Sequence, residues 1–116
     1  METASFVRHE RKGPVAVARV TCPTVGQREA PIVQDEITGA AGNAAWKIIV
    51  DMSGVTVLGS MGIGMLITLN KMTREKSGKL ALFGMNNDLM GVIRMTKLDK
   101  LLPIVDSEDA AVKRVM

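Results

Sequence analysis

Tyrosine is absent, and aromatic residues amount to 3% of the 116 residues. With so few flat side chains there is little on which nucleic-acid bases could stack, and the fifteen basic residues are spread along the chain and form no stripe. Specific nucleic-acid binding is not expected. Cysteine occurs once, as Cys22, and histidine once, as His9. An internal disulfide and a cysteine-based zinc cluster are therefore excluded. A His–Cys nucleophile pair would need both lone residues in special roles, so Cys22 reads as a small apolar residue at a strand end. No paired carboxylates or histidine cluster stand at a spacing useful for catalysis or metal binding, so no catalytic residue, metal or cofactor is assigned.

Long hydrophobic runs are missing too. The longest, Val55 to Leu69, is interrupted by Thr56, Gly59, Ser60, Gly62, Gly64 and Thr68. It falls short of the roughly 20 apolar residues that a membrane helix requires. The first residues, METASFVRHERKG, carry charges where a secretory leader would have its apolar stretch. A cytoplasmic protein without membrane insertion is the expectation. What remains is ordinary globular material, with 47% hydrophobic and 23% charged residues and a net charge of +3. That length and composition predict one domain over residues 1–116.

Val15 to Val20 reads as a β-strand ended by Pro23, with Phe6–Val7, ahead of Gly13–Pro14, as its hairpin partner. Val25 to Ala41 reads as helical, with Pro31 tolerable only in the first turn. Trp46 to Asp51 is an apolar run of strand length, as in a central strand covered on both faces. A helix from Ser60 to about Lys76 is closed by Ser77–Gly78, and Lys79 to Phe83 is the next strand. Asn86, Asn87 and Asp88 offer capping oxygens to a helix ending near Lys97. Leu101 to Val105 reads as an edge strand around Pro103. The tail DSEDAAVKRVM places acids before bases, which suits a last helix. The order ββαβαβαβα predicts a small α/β layer fold whose sheet is mixed but mostly parallel, with helices packed against it.

The stretch VLGSMGIGML, residues 57–66, carries the functional question. Its glycines are spaced GxxGxG and not GxGxxG, no GK[ST] ending follows, and GxSxG is absent, so dinucleotide, P-loop and hydrolase-elbow chemistry is not indicated. A purely structural turn would have Ser60 capping the helix, Gly59 at positive φ, and Gly62 and Gly64 letting the helix approach the sheet. Met61, Ile63, Met65 and Leu66, however, point in more directions than one buried stripe needs, which fits an adaptable methionine-rich docking patch. A hydroxyl at a helix N-terminus is also a favourable place for a phosphate.

The stretch from IIVDMSGVTVLGSMGIGMLITLNK through GKLALFGM to LLPIVDSEDAAVKRVM resembles the STAS domain, the fold of bacterial anti-sigma factor antagonists and of sulphate-transporter tails. The likeness is strongest over residues 47–116. In antagonists of this type the turn reads Asp-Ser-Ser/Thr-Gly, and its first serine is phosphorylated by a kinase that is itself the anti-sigma factor. The match puts Gly59 at the aspartate, Ser60 at the phosphorylated serine, Met61 at the second hydroxyl residue and Gly62 at the glycine. The family's Gly-x-x-Asp after the second strand is replaced by TCPTVGQRE, where Thr21, Thr24 and Gln27 are the nearest polar residues.

The resemblance implies a bacterial, transcription-regulating phosphoprotein that is not an enzyme. It would dock an anti-sigma factor/serine kinase, or another ATPase-type protein, through Thr24, Gly59, Ser60, Met61, Gly62, Ile63 and Met65. Ser60 is the implied phosphorylation site, and a homodimer is a further option. The alternative is an unphosphorylated scaffold subunit of a stressosome-like complex or of a lipid-transport ABC ATPase.

Overall fold

The structure, a computed structural model, describes residues 5–116; the first four residues of the charged N-terminal stretch lie outside it. Strands β1 (Val7–Lys12) and β2 (Val15–Val20) form an antiparallel hairpin, and β2 then pairs in parallel with β4 (Lys47–Asp51). Strand β4 pairs in parallel with β6 (Lys79–Phe83), giving the sheet order β1-β2-β4-β6. A second pairing, also parallel, joins β3 (Thr24–Val25) to β5 (Val57–Leu58). Among the described residues four helices cover the sheet: α1 (Glu29–Ala41), α2 (Ser60–Glu75), α3 (Asn87–Met95) and α4 (Glu108–Val115). The mixed, mostly parallel α/β sheet expected from the order of elements is the one observed.

The strands explain why the core divides in two. Successive strand residues face opposite ways. Ile48 and Val50 of β4 therefore enter a large cluster with Val33 and Ile37 of α1, Leu66 and Leu69 of α2, and Ile93 of α3. Ile49 points to the other face, where Val15, Val17, Ala81 and Phe83 are covered by Ala111 and Val115 of α4. Both faces of β4 are dry, as its unbroken IIV run requires.

Several boundaries differ from the sequence expectation. Strand β1 runs far beyond Phe6–Val7, through the charged residues RHERK, because it is an edge strand with solvent beside it. Helix α1 starts at Glu29, not Val25, so Pro31 does fall in its first turn; residues 24 and 25 are given to β3. Leu101–Val105 is no strand. Its contact with the sheet is a single bridge, Leu82 to Ile104, because Pro103 has no N–H and the amides of Leu101 and Leu102 are already donated to the Leu98 carbonyl of a 3-10 turn over 98–100.

The ends of the last helices follow the sequence closely. Asn86 caps α3 by accepting the Leu89 amide at 2.8 Å, and Ser107 caps α4 by accepting the Ala110 amide at 3.1 Å. At the end of α2 it is Ser77, at φ 58°, that turns left-handed, while Gly78 is needed because its Cβ position is occupied by the Trp46 backbone.

Candidate functional site

At the carboxyl end of the parallel strands, β3, β5 and the start of α2 come together. Thr24 lies opposite Val57 and Val25 opposite Leu58, and the Gly59 amide donates to the Val25 carbonyl at 2.9 Å. This short pairing fixes where α2 begins. Gly62 fixes how close it comes: a Cβ there would lie 2.5 Å from the Val25 carbonyl oxygen and 2.6 Å from Leu58 Cδ1. No residue with a side chain fits without displacement. A Cβ on Gly64 would meet nothing within 4 Å, so only the first of these two glycines serves the close approach.

Ser60 is not the cap of α2. The cap position belongs to Gly59, in extended backbone at φ −75° and ψ 176°, so Gly59 does not require a positive φ either. With glycine in that place no side chain accepts from the first-turn amides, and Ser60 is the first helical residue, exposed to solvent. The hydroxyl therefore stands free beside amides that lack a side-chain partner.

The apolar residues of this turn divide between surface and core. Met61 is 50% exposed and Val57 of β5 is 53% exposed, so two large apolar side chains flank the serine on the outside. Ile63 is half-buried, whereas Met65 and Leu66 are in the core. Thr24 is exposed beside Val57. Ser60, Met61, Gly64, Met65 and Thr68 also line one wall of a groove of about 340 Å³, opposite Ala30, Pro31, Gln34 and Asp35 of α1. Residues far apart in the sequence, Thr24 and the 59–65 turn, thus meet at one end of the domain. Val57 and the α1 wall were not among the residues singled out from sequence; the β-branched pair Val55–Val57 ahead of the turn was the available signal, and helix α1 offered none.

The principal charged cluster lies on the α4 face. Arg19 of β2 donates to Asp51 of β4 at 2.9 Å, to Glu108 of α4 at 2.9 and 3.3 Å, and to Glu10 of β1 at 2.7 and 3.1 Å. Lys12 also pairs with Glu108. The Arg19 and Lys12 hydrogen bonds hold the Glu108 carboxyl down at about 2, and the Arg19 hydrogen bond lowers Glu10. Burial pushes Asp51 up, but hydrogen bonds from Ser53 and Arg19 outweigh it and leave the carboxyl below its ordinary value. The cluster ties β1, β2, β4 and α4 together. Burial pushes the Cys22 thiol up, away from the reactive thiolate.

The family model that matches this chain is the STAS domain, over residues 15–111. The protein belongs to the STAS family. Its fold is that of anti-sigma factor antagonists. A putative antagonist from Thermotoga maritima superposes with a TM-score of 0.81 at 19% identity, over 94% of this chain and 93% of that one. An anti-sigma factor antagonist from Mycobacterium paratuberculosis gives 0.75 at 25% identity, over 94% and 92%. The Bacillus cell-fate determinant SpoIIAA, in its phosphorylated form, gives 0.70 at 18%, over 95% and 99%. The match begins at Val15, so the resemblance read from the second half extends back to β2 and β3, whose sequence carried little of it. No helix of the described residues is long and apolar enough to cross a membrane.

Proposed function

We propose that this STAS domain is a non-enzymatic regulatory module of the anti-sigma factor antagonist kind, which docks a serine-kinase anti-sigma factor through the end of the domain bearing Ser60 and is switched by phosphate on that residue. The observation that supports the reading is the exposed Ser60 hydroxyl at the first position of a sixteen-residue helix, flanked by exposed Met61 and Val57. Exposed Thr24 and half-buried Gly59 and Ile63 complete the contact surface, with Gly62 and Met65 beneath it. A phosphate would bring about −2 charge to this apolar patch near pH 7. Desolvating that charge in a partner interface is unfavourable enough to weaken binding tenfold or more, at ~1.4 kcal/mol per decade. The uncapped amides of α2 stabilise the phosphate while the domain is free. Phosphate thus favours the unbound module.

The test is calorimetric titration of wild type, Ser60→Asp and Ser60→Ala against the serine-kinase anti-sigma factor of the source cell, with mass spectrometry after incubation with ATP. Wild type should gain one phosphate, Ser60→Asp should bind at least tenfold more weakly, and Ser60→Ala should bind like wild type. Because Ser60 is not the cap, Ser60→Ala should change stability by no more than about 0.5 kcal/mol. Three equal affinities with no phosphate transfer would refute the switch. That result would favour a constitutive scaffold subunit, a second reading motivated by Gly59 and Met61 standing where the family has an acid and a second hydroxyl.

A further inference from the structure

The other end of α2 carries a second feature, about 21 Å from Ser60 along the helix axis at ~1.5 Å per residue. There the end of α2, the start of β6, the 98–103 segment and the end of α4 enclose a cleft of about 460 Å³. Its lining includes Arg74, Lys79 and Arg114 and no acidic residue. An adjoining hollow, sharing Asn70, Arg74 and Leu101, adds Lys71 and one carboxylate, Glu75. None of the four cations is in an ion pair among the described residues, where the pairs are those of Arg8, Lys12 and Arg19.

Helix C-termini attract bases through their free carbonyls. At the end of α2 three of those carbonyls already have backbone donors: Met72 accepts from Lys76, Thr73 from Gly78 and Arg74 from Ser77. Two guanidinium groups and an ammonium from three separate elements surround one concavity whose own lining holds no carboxylate, and an anion entering it would relieve their mutual repulsion. Guanidinium forks match the oxygens of phosphate. Beside them Leu80, Leu101 and Pro103 form an apolar wall, and Leu101 is 47% exposed. The volume lies within the range of small-molecule sites.

We infer that the cleft between α2, β6 and α4 is a binding site for a small organic phosphate, whose charged group is held by Arg74, Lys79 and Arg114 and whose apolar part rests on Leu101 and Pro103. Binding there is separate from the Ser60 surface and does not depend on the function proposed for it.

The experiment is NMR titration of the whole chain with phenyl phosphate and, in parallel, inorganic phosphate, at low and at physiological salt. Phenyl phosphate should saturate, move the amides of Asn70, Gly78, Lys79 and Leu101 but not those of residues 57–62, bind more tightly than inorganic phosphate, and weaken as salt rises. Arg74→Gln with Arg114→Gln should lower its affinity at least tenfold, whereas Arg28→Gln with Lys97→Gln, outside the cleft, should leave it within twofold. Both arginines are exposed, so melting temperatures of the variants should stay near wild type. Shifts that never saturate, shifts spread over the surface, or equal losses in both double variants would overturn the inference and reduce the cleft to diffuse surface charge. Saturation by phenyl phosphate no tighter than by inorganic phosphate would overturn the part assigned to Leu101 and Pro103.

Discussion

Alanine at Gly62 and alanine at Gly64 are the same chemical change two positions apart in one helix, and they should act in opposite directions. Either substitution removes glycine from a helix interior, a gain of about 0.5–1 kcal/mol. At Gly64 nothing lies within 4 Å of the new methyl group, so that gain should appear undiminished. At Gly62 the methyl would sit 2.5 Å from a backbone oxygen of β3 and 2.6 Å from Leu58 Cδ1. Leu58 can change rotamer, but the Val25 carbonyl is fixed by its bond from the Gly59 amide and cannot retreat alone. Overpacking of this kind costs about 1–3 kcal/mol and more when backbone must move. The net expectation for Gly62→Ala is a loss of about 1–2 kcal/mol.

For a domain of this size 1 kcal/mol corresponds to a melting shift of about 4 °C. The two variants should therefore melt about 6–12 °C apart, on either side of wild type, and urea titration should reproduce the order. Gly62→Ala should also perturb the amides of Val25, Gly59 and Ser60 in NMR, because relief of the clash lifts the start of α2. Equal stabilities for the two variants would refute the reasoning: the close approach of α2 to β3 would then not be what Gly62 is for.

The charged cluster gives a pH prediction. Glu108 has its folded value depressed to about 2 from an ordinary 4.5, so its contribution is present above that ordinary value and is lost as pH falls from about 4.5 towards 2. Glu108→Gln should lower stability at neutral pH by on the order of 1 kcal/mol and flatten the acid limb of a melting-temperature profile; an unchanged limb would contradict it. At the start of α2, Gly59→Asp places a capping carboxylate where its Cβ meets only ordinary contacts, 3.5 Å from Gly26 Cα. It should stabilise the domain by about 0.5–1 kcal/mol in a urea titration, and a destabilised variant would show that the glycine is required by the backbone.

How much of this was legible depended on whether local chemistry or distant contacts set the outcome. The IIV run of β4, the Asn86 cap of α3 and the acids-first order of α4 state their roles within a few residues. Strands β3 and β5 do not. Two residues each, they exist because the segments after β2 and β4 run side by side, and nothing in Thr24–Val25 alone distinguishes a strand from the first turn of a helix. Leu101–Val105 misled in the opposite sense: apolar and strand-like, it spends the Leu101 and Leu102 amides on the turn before it and gives the sheet only that of Val105. Ser60 shows the same limit at one position. A serine before a helix is the usual cap, but the backbone starts the helix one residue early, at glycine, and the hydroxyl is left outside. The basic cleft was illegible because Arg74, Lys79 and Arg114 are ordinary charges in sequence and become neighbours only when α4 folds back beside β6.

Helix α2 joins the serine end to the basic end, and its middle is held in ways that bear on whether the two can communicate. Thr73 is 1% exposed and bonds back to the Leu69 carbonyl at 2.7 Å, while Asn70, 9% exposed, reaches across to the Leu101 carbonyl at 3.3 Å. Leu66 and Leu69, fully buried, fix the same stretch against the sheet. Sliding or rotating the helix would break the Asn70 bond to Leu101 and unpack Leu66, Leu69 and Thr73 together, leaving a buried amide unsatisfied. A phosphate at Ser60 supplies charge at the first turn only, and the influence of a helix-end charge fades within that turn. The change made by phosphate is therefore local to the 57–62 surface, and occupancy of the basic cleft by a small organic phosphate should leave affinity at the serine end within twofold in a titration repeated with and without phenyl phosphate.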